Sequence, residues 1–245
     1  MSATVGQMWH QVISVQPVPS TAVVVGAALV ALLAVLIRDV WVVARNVVTI
    51  VHEGGHALVA LLVGRRLQGV QLHSDTSGVT LSRGRPTGPG MVATTLAGYL
   101  APSLLGLGWA ALLAAGHITA LLWLTVLLLA AMLVVVRNAY GVVSIVVTAA
   151  AVFLVSWFMS AQVQAAFAFA FTWFLLAAGI RPVVELQRSR RRHRAPDSDA
   201  DQLARLTRVP GLVWVLVFGA VGVSALALAA YWLMPVTSWF ARRSG

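Results

Sequence analysis

The chain has no cysteine and no lysine, and only 10% of its 245 residues are charged. Without cysteine, disulfides and thiolate metal sites are excluded, so any bound metal must be held by histidine, carboxylate or amide side chains. So few charges cannot cover a water-exposed surface, since soluble domains carry about 25% charged residues. Hydrophobic residues make up 60% of the chain, which places it in a bilayer. The basic residues are seventeen arginines, which against seven acidic residues give a net charge of +10. No basic face with interleaved aromatics accompanies them, so nucleic-acid binding is not expected. Most of them fall instead between apolar runs, where they set topology. Residues 1–20 lack a basic leader and the following run lacks a cleavage site, so that run reads as a retained span.

A helix needs about 17–25 apolar residues to cross the hydrocarbon. The runs of that kind are Thr21–Ile37, Val43–Val63, Met91–Ala115, Ile118–Val136, Val142–Met159, Gln162–Ile180 and Gly211–Met234. They predict an all-α polytopic membrane protein of about seven transmembrane helices. With a cytoplasmic N-terminus, thirteen arginines, from Arg65 to Arg208, fall inside, and only Arg38, Arg45, Arg242 and Arg243 fall outside. That asymmetry favours this orientation. Trp41, Trp157, Trp214 and Tyr231, near span ends, read as interfacial anchors.

Two connections are long enough to hold structure. Residues 67–82 alternate in the β manner (Val70, Leu72; then Val79, Leu81) around Asp75-Thr76-Ser77-Gly78, which predicts a short cytoplasmic hairpin. Residues 181–208 read as a polar cytoplasmic loop. Within it, Ser198 or Asp199 is placed to cap a short amphipathic helix through Leu203 and Leu206.

One motif carries chemistry. In His52-Glu53-Gly54-Gly55-His56 the two imidazoles are four residues apart, so on a helix both project from one face and can reach a single Zn²⁺. Glu53 beside them can take a proton from metal-activated water. An acidic side chain flanked by histidines is costly within an apolar helix, about 2.5 kcal/mol or more at the centre, so a packing role alone is a poor account of it. Gly54 and Gly55 allow a neighbouring helix or a substrate backbone to approach closely.

The segment HEGGHALVALLVGRRLQGVQLHSDTSGVTLS resembles the core of the site-2 protease family of intramembrane zinc metalloproteases. Gly64 and Ser77-Gly78-Val79 match the family's helix-ending glycine and its β-element. VRNAYG and SDADQLARLT resemble the compact bacterial branch, and the likeness covers residues 40–215. It implies a Zn²⁺ cofactor, cleavage of membrane-protein substrates in or near transmembrane segments, and pairing of unwound substrate with Ser77, Gly78 and Val79.

The family's Asn-x-x-Pro-x-x-x-Leu-Asp-Gly stretch, which supplies a third ligand, is absent. Arg137-Asn138-Ala139-Tyr140-Gly141 falls near its place without a carboxylate. Asp199, in the segment that matches the bacterial branch, is the first candidate for third ligand. Asn138 follows, as ligand or oxyanion donor, and then Asp201 and Asp197; helix capping is the competing role for Asp199. Arg137 is a second candidate for the oxyanion. His10 and His117 read as surface residues, His73 as part of the hairpin, and His193 as part of a lipid-facing basic run.

The sequence thus predicts one integral membrane metalloprotease-like domain over residues 1–245, in the cell membrane, with the lipid bilayer and membrane-protein substrates as partners. Glu53 is the expected base, and His52, His56 and Asp199 the expected zinc ligands. Two other readings compete: a catalytically inactive scaffold or regulator of the same fold, and a transporter using His and Glu as a proton or ion relay.

Overall fold

Long apolar stretches with few helix breakers fold as helices, and the breakers present mark their ends. A computed structural model describes Val12 and residues 14–192 and 197–234. His10, His193, Arg194, Arg242 and Arg243 lie outside the described residues. The elements are α1 (Thr21–Leu36), α2 (Arg38–Leu62), β1 (Arg66–Leu72), β2 (Gly78–Arg83), α3 (Pro89–Ala114), α4 (Ile118–Val135), α5 (Ala139–Phe158), α6 (Ala161–Arg191), α7 (Asp199–Thr207) and α8 (Gly211–Leu233). Gly64 ends α2 and Gly116 ends α3, each in the left-handed region at φ 75° and 78°. Beside them Arg65 N–H bonds the Ala60 carbonyl and His117 N–H the Leu112 carbonyl, which closes the helix ends. Pro89 opens α3, where its missing N–H costs nothing.

Five helices, α3 to α6 and α8, are each long and apolar enough to cross a membrane. Among the described residues the expected seven spans are not confirmed, because α1 and α2 meet at Ile37 with a bend of 100° and pass that test only as a pair. The bend is pinned. Arg181 of α6 donates to the Val35 carbonyl and lies over the Trp41 ring, 4.5 Å from its centroid. Glu185, one turn further on, accepts from Arg181 Nε (2.9 Å) and Trp41 Nε1 (3.0 Å). Trp41 is therefore a buried packing residue, and the interfacial anchor expected there is not observed.

The other end of α1 fixes the topology. Gln16 N–H donates to the Gly116 carbonyl (2.8 Å), and its side-chain amide bonds Thr119. Residues near 16 therefore lie at the same end of the bundle as the α3–α4 turn, whereas a cytoplasmic N-terminus with seven spans puts the uncharged turn near Gly116 on the opposite, outer side. Both ends of α2 lie in the other half. Trp41 packs against Arg181 and Glu185, while Val63 meets the start of α3 at Gly90.

The expected polar loop over 181–208 is mostly helix. α6 continues to Arg191 through Pro182, and α7 follows with Ser198 as N-cap. Ala200 and Leu203 of α7 are fully buried against Val183, Leu186, Val215 and Phe218. Burying the leucine alone contributes about 2 kcal/mol.

The predicted hairpin is present. β1 and β2 pair antiparallel with Val70 opposite Thr80 and Leu72 opposite Gly78. A parallel bridge from Val70 to Val136 continues the sheet on the far side of β1. Val70 and Leu72 are buried at 0% and 2% exposure, whereas Val79 and Leu81 stand outward at 44% and 45%. The alternation is real, but the apolar residues of the two strands point to opposite faces.

Candidate metal centre

α2 carries His52 and His56 on one face, a turn apart, as their spacing requires. α7 brings the third group. Asp199 Oδ2 lies 3.3 Å from Nε2 of His52 and 3.3 Å from Nε2 of His56, and the two Nε2 atoms are 3.1 Å apart. Among the described residues these three form a group that could hold a metal ion, with ligand atoms within 4.8 Å of one another.

The chemistry of the donor set fits a cation. His56 Nδ1 is 2.7 Å from the Thr94 carbonyl. A carbonyl only accepts, so Nδ1 carries the proton and Nε2 presents its lone pair. Asp199 Oδ2 is buried and receives no hydrogen bond, although two ring nitrogens stand at ion-pair distance. Lone pairs converging in this way need a positive charge among them.

Close backbone approach builds the walls. A Cβ on Gly98 of α3 would lie 2.2 Å from His56 Nε2 and 2.7 Å from His52 Cε1. Gly55 lets α2 settle on α3, where a Cβ would meet Ala101 at 2.5 Å, and Gly54 faces Met132 of α4. Tyr99 packs edge-on against the His52 ring at 4.8 Å and stacks on Phe218 of α8.

Glu53 is buried beneath the hairpin. Thr80 Oγ1 donates to its Oε2 at 2.6 Å and lies 3.2 Å from its carbonyl. Gly78 lies so close that a Cβ would stand 2.5 Å from Glu53 Cγ. One turn earlier on α2, Thr49 donates to the Thr76 carbonyl at 2.8 Å. The turn itself is held by Asp75, whose Oδ1 accepts from Ser77 N–H and Oγ. These bonds hold the exposed Asp75 carboxyl below its ordinary value.

The other candidates sit elsewhere in the architecture. Asn138 spends its amide on strand β1, donating to the Leu72 carbonyl (2.6 Å) and accepting from Leu72 N–H (3.2 Å). Arg137 donates to the carbonyls of Val134 and Val136. Asp201 pairs with Arg190 of α6 and accepts from Ser198 Oγ (2.6 Å). Arg190 holds the Asp201 carboxyl below the usual range. Among the described residues Asp197 meets the exposed Arg205, at 3.5 Å. His73 is exposed, with Ser77 Oγ 3.3 Å from its Nδ1. The sequence reading missed Thr80, Thr94, Gly98 and Tyr99. Of these only Gly98 left a trace, in the four-residue spacing Gly98, Pro102, Gly106.

Apolar helices of membrane-crossing length surrounding two imidazoles and a carboxylate define a polytopic membrane protein with a candidate metal centre. A family model described as Peptidase M50B-like matches residues 25–229, and the chain belongs to that family. The match takes in the HEGGH helix, the hairpin and Asp199 together, and it agrees with the resemblance read from residues 52–82. No curated protein and no solved structure matches the chain.

Proposed function

We propose that the chain is an intramembrane zinc metalloendopeptidase of site-2 protease type. It would act as a single domain in the cell membrane and hydrolyse peptide bonds in or near transmembrane segments of membrane-protein substrates. The observation that carries this reading is the convergence of His52, His56 and Asp199 with Glu53 next in the chain.

His52, His56 and Asp199 would hold the ion, since two imidazoles, a carboxylate and one open position are a usual catalytic zinc set. Bound zinc supplies Lewis acidity toward water and the scissile carbonyl. Glu53 takes the proton from the attacking water and returns it to the leaving amine nitrogen. The Thr94 carbonyl keeps His56 in the tautomer that offers Nε2. Asn138 and Arg137 fit this reading as the seat of the hairpin, where Asn138 Nδ2 and Arg137 Nη1 donate to backbone carbonyls.

The far edge of β2 has no strand partner among the described residues. An unwound substrate segment adding there, along Ser77, Gly78 and Val79, would lie beside Glu53. A scaffold reading drew its support from the missing Leu-Asp-Gly carboxylate, and α7 supplies an acidic oxygen in its stead.

The arginine asymmetry supports a sidedness. The pinned bend moves Arg38 and Arg45 to the half of the bundle that holds Arg65, Arg137 and Arg181, so the bias sharpens. That half is cytoplasmic in this reading, and residues near 16 lie outside with the Gly116 turn. In this reading six crossings, with α1 and α2 as one broken span, would put both described ends on the outer side.

The test is to purify the protein and its Glu53→Gln variant and to assay zinc and cleavage of a membrane-embedded substrate. Zinc near one per chain in both proteins, with cleavage lost in the variant, supports the reading. Equal cleavage by the two would sink it.

A further inference from the structure

Side chains on β2 alternate, so Val79 and Leu81 point away from α2 while Thr80 points at it. Gly78 has no side chain to hold the strand off, and the strand therefore lies against the Glu53 carboxyl. The turn is tied to the same face of α2 by Thr49 and Thr76, one helical turn from Glu53. In this frame the Thr80 hydroxyl donates its one proton to Glu53 Oε2 at 2.6 Å, the length of a charge-assisted bond. Among the described residues Glu53 Oε1 takes no hydrogen bond.

We propose that Thr80 is a positioning residue that holds the Glu53 carboxylate, through Oε2, in place for the attacking water. This rests on the peptidase reading. Thr80 belongs to the strand whose free edge would seat the substrate, so the base and the scissile peptide are registered to a single element. A carboxylate on a flexible stem gains most from such a tie, because small misplacements of a catalytic group cost rate steeply. The strand needs a residue that is β-branched for the sheet and carries a donor for the base, and threonine meets both needs.

The test uses the full chain in detergent with Thr80→Val and Thr80→Ser. The substrate probe is a quenched fluorescent peptide with one Leu/Ala span of about 20 residues interrupted by Gly-Ser. Thr80→Val is expected to lower kcat on the order of 10- to 100-fold, with KM and zinc content unchanged, and Thr80→Ser to restore most of it. A second readout needs no turnover. The loss of melting temperature caused by Thr80→Val in the zinc-free protein should shrink by at least roughly half in a Glu53→Ala background. Full kcat in Thr80→Val, or an equal melting loss in both backgrounds, overturns the proposal. If the wild type leaves the probe intact, the peptidase reading fails, and the melting cycle still decides the Thr80–Glu53 tie.

Discussion

Arg190 and Asp201 form a two-pronged ion pair, with Nη2–Oδ1 at 2.6 Å and Nε within 3.1 Å of both carboxylate oxygens. The pair joins the end of α6 to the first turn of α7, two residues from Asp199. α6 also holds α2 through Glu185, Trp41 and Arg45. One helix thus positions both the imidazole-bearing and the carboxylate-bearing elements.

From that pair, Asp201→Asn should weaken zinc binding about tenfold or more, as loss of groups that orient ligands does elsewhere. A chelator competition titration checks this. Arg190 lowers the folded-state pKa of Asp201, so the clamp is fully present above the ordinary carboxylate range and is lost only as pH falls through the lowered value. Between about pH 5 and 8 the effect of Asp201→Asn should therefore be flat.

Asp199→Asn should abolish stoichiometric zinc while leaving the helical content unchanged. Asn138→Ala should keep zinc and lower the melting temperature, because it leaves the Leu72 N–H and carbonyl without partners, at about 1–3 kcal/mol. Metal analysis and thermal melts of the two variants separate ligand from scaffold.

Gly98→Ala puts a methyl where the imidazoles converge, 2.2 Å from His56 Nε2. Zinc affinity should fall by roughly 100-fold or more, since ligands displaced by about 1 Å no longer share one ion. Gly108→Ala, on the same helix with nothing within 4 Å, should leave it unchanged.

The absence of cysteine makes topology directly testable. Val18→Cys and Thr87→Cys, both at exposed positions, should react with an impermeant maleimide from opposite sides of sealed vesicles. Val18→Cys should label from the outside. Labelling of both from one side contradicts the single broken span.

The His52–His56 face, the ends at Gly64 and Gly116, and the hairpin were legible because each depends on local spacing or backbone conformation. The bend at Ile37 was not. Hydropathy reports length and apolarity but not direction, and Leu36-Ile37-Arg38 contains neither glycine nor proline. Asp197, Asp199 and Asp201 alternate in one short segment, and only the docking of α7 separates them: Asp199 turns to the imidazoles, Asp201 to Arg190 and Asp197 to Arg205. Thr80 and Gly98 owe their roles to contacts between distant elements, which no local pattern announces.

The most direct measurement is X-ray absorption at the zinc edge of the purified protein. The account predicts about one zinc per chain, with two imidazole nitrogens and carboxylate oxygen in the first shell at roughly 2.0–2.2 Å, and loss of the ion in Asp199→Asn. A preparation without stoichiometric zinc, or a shell lacking imidazole, would contradict it.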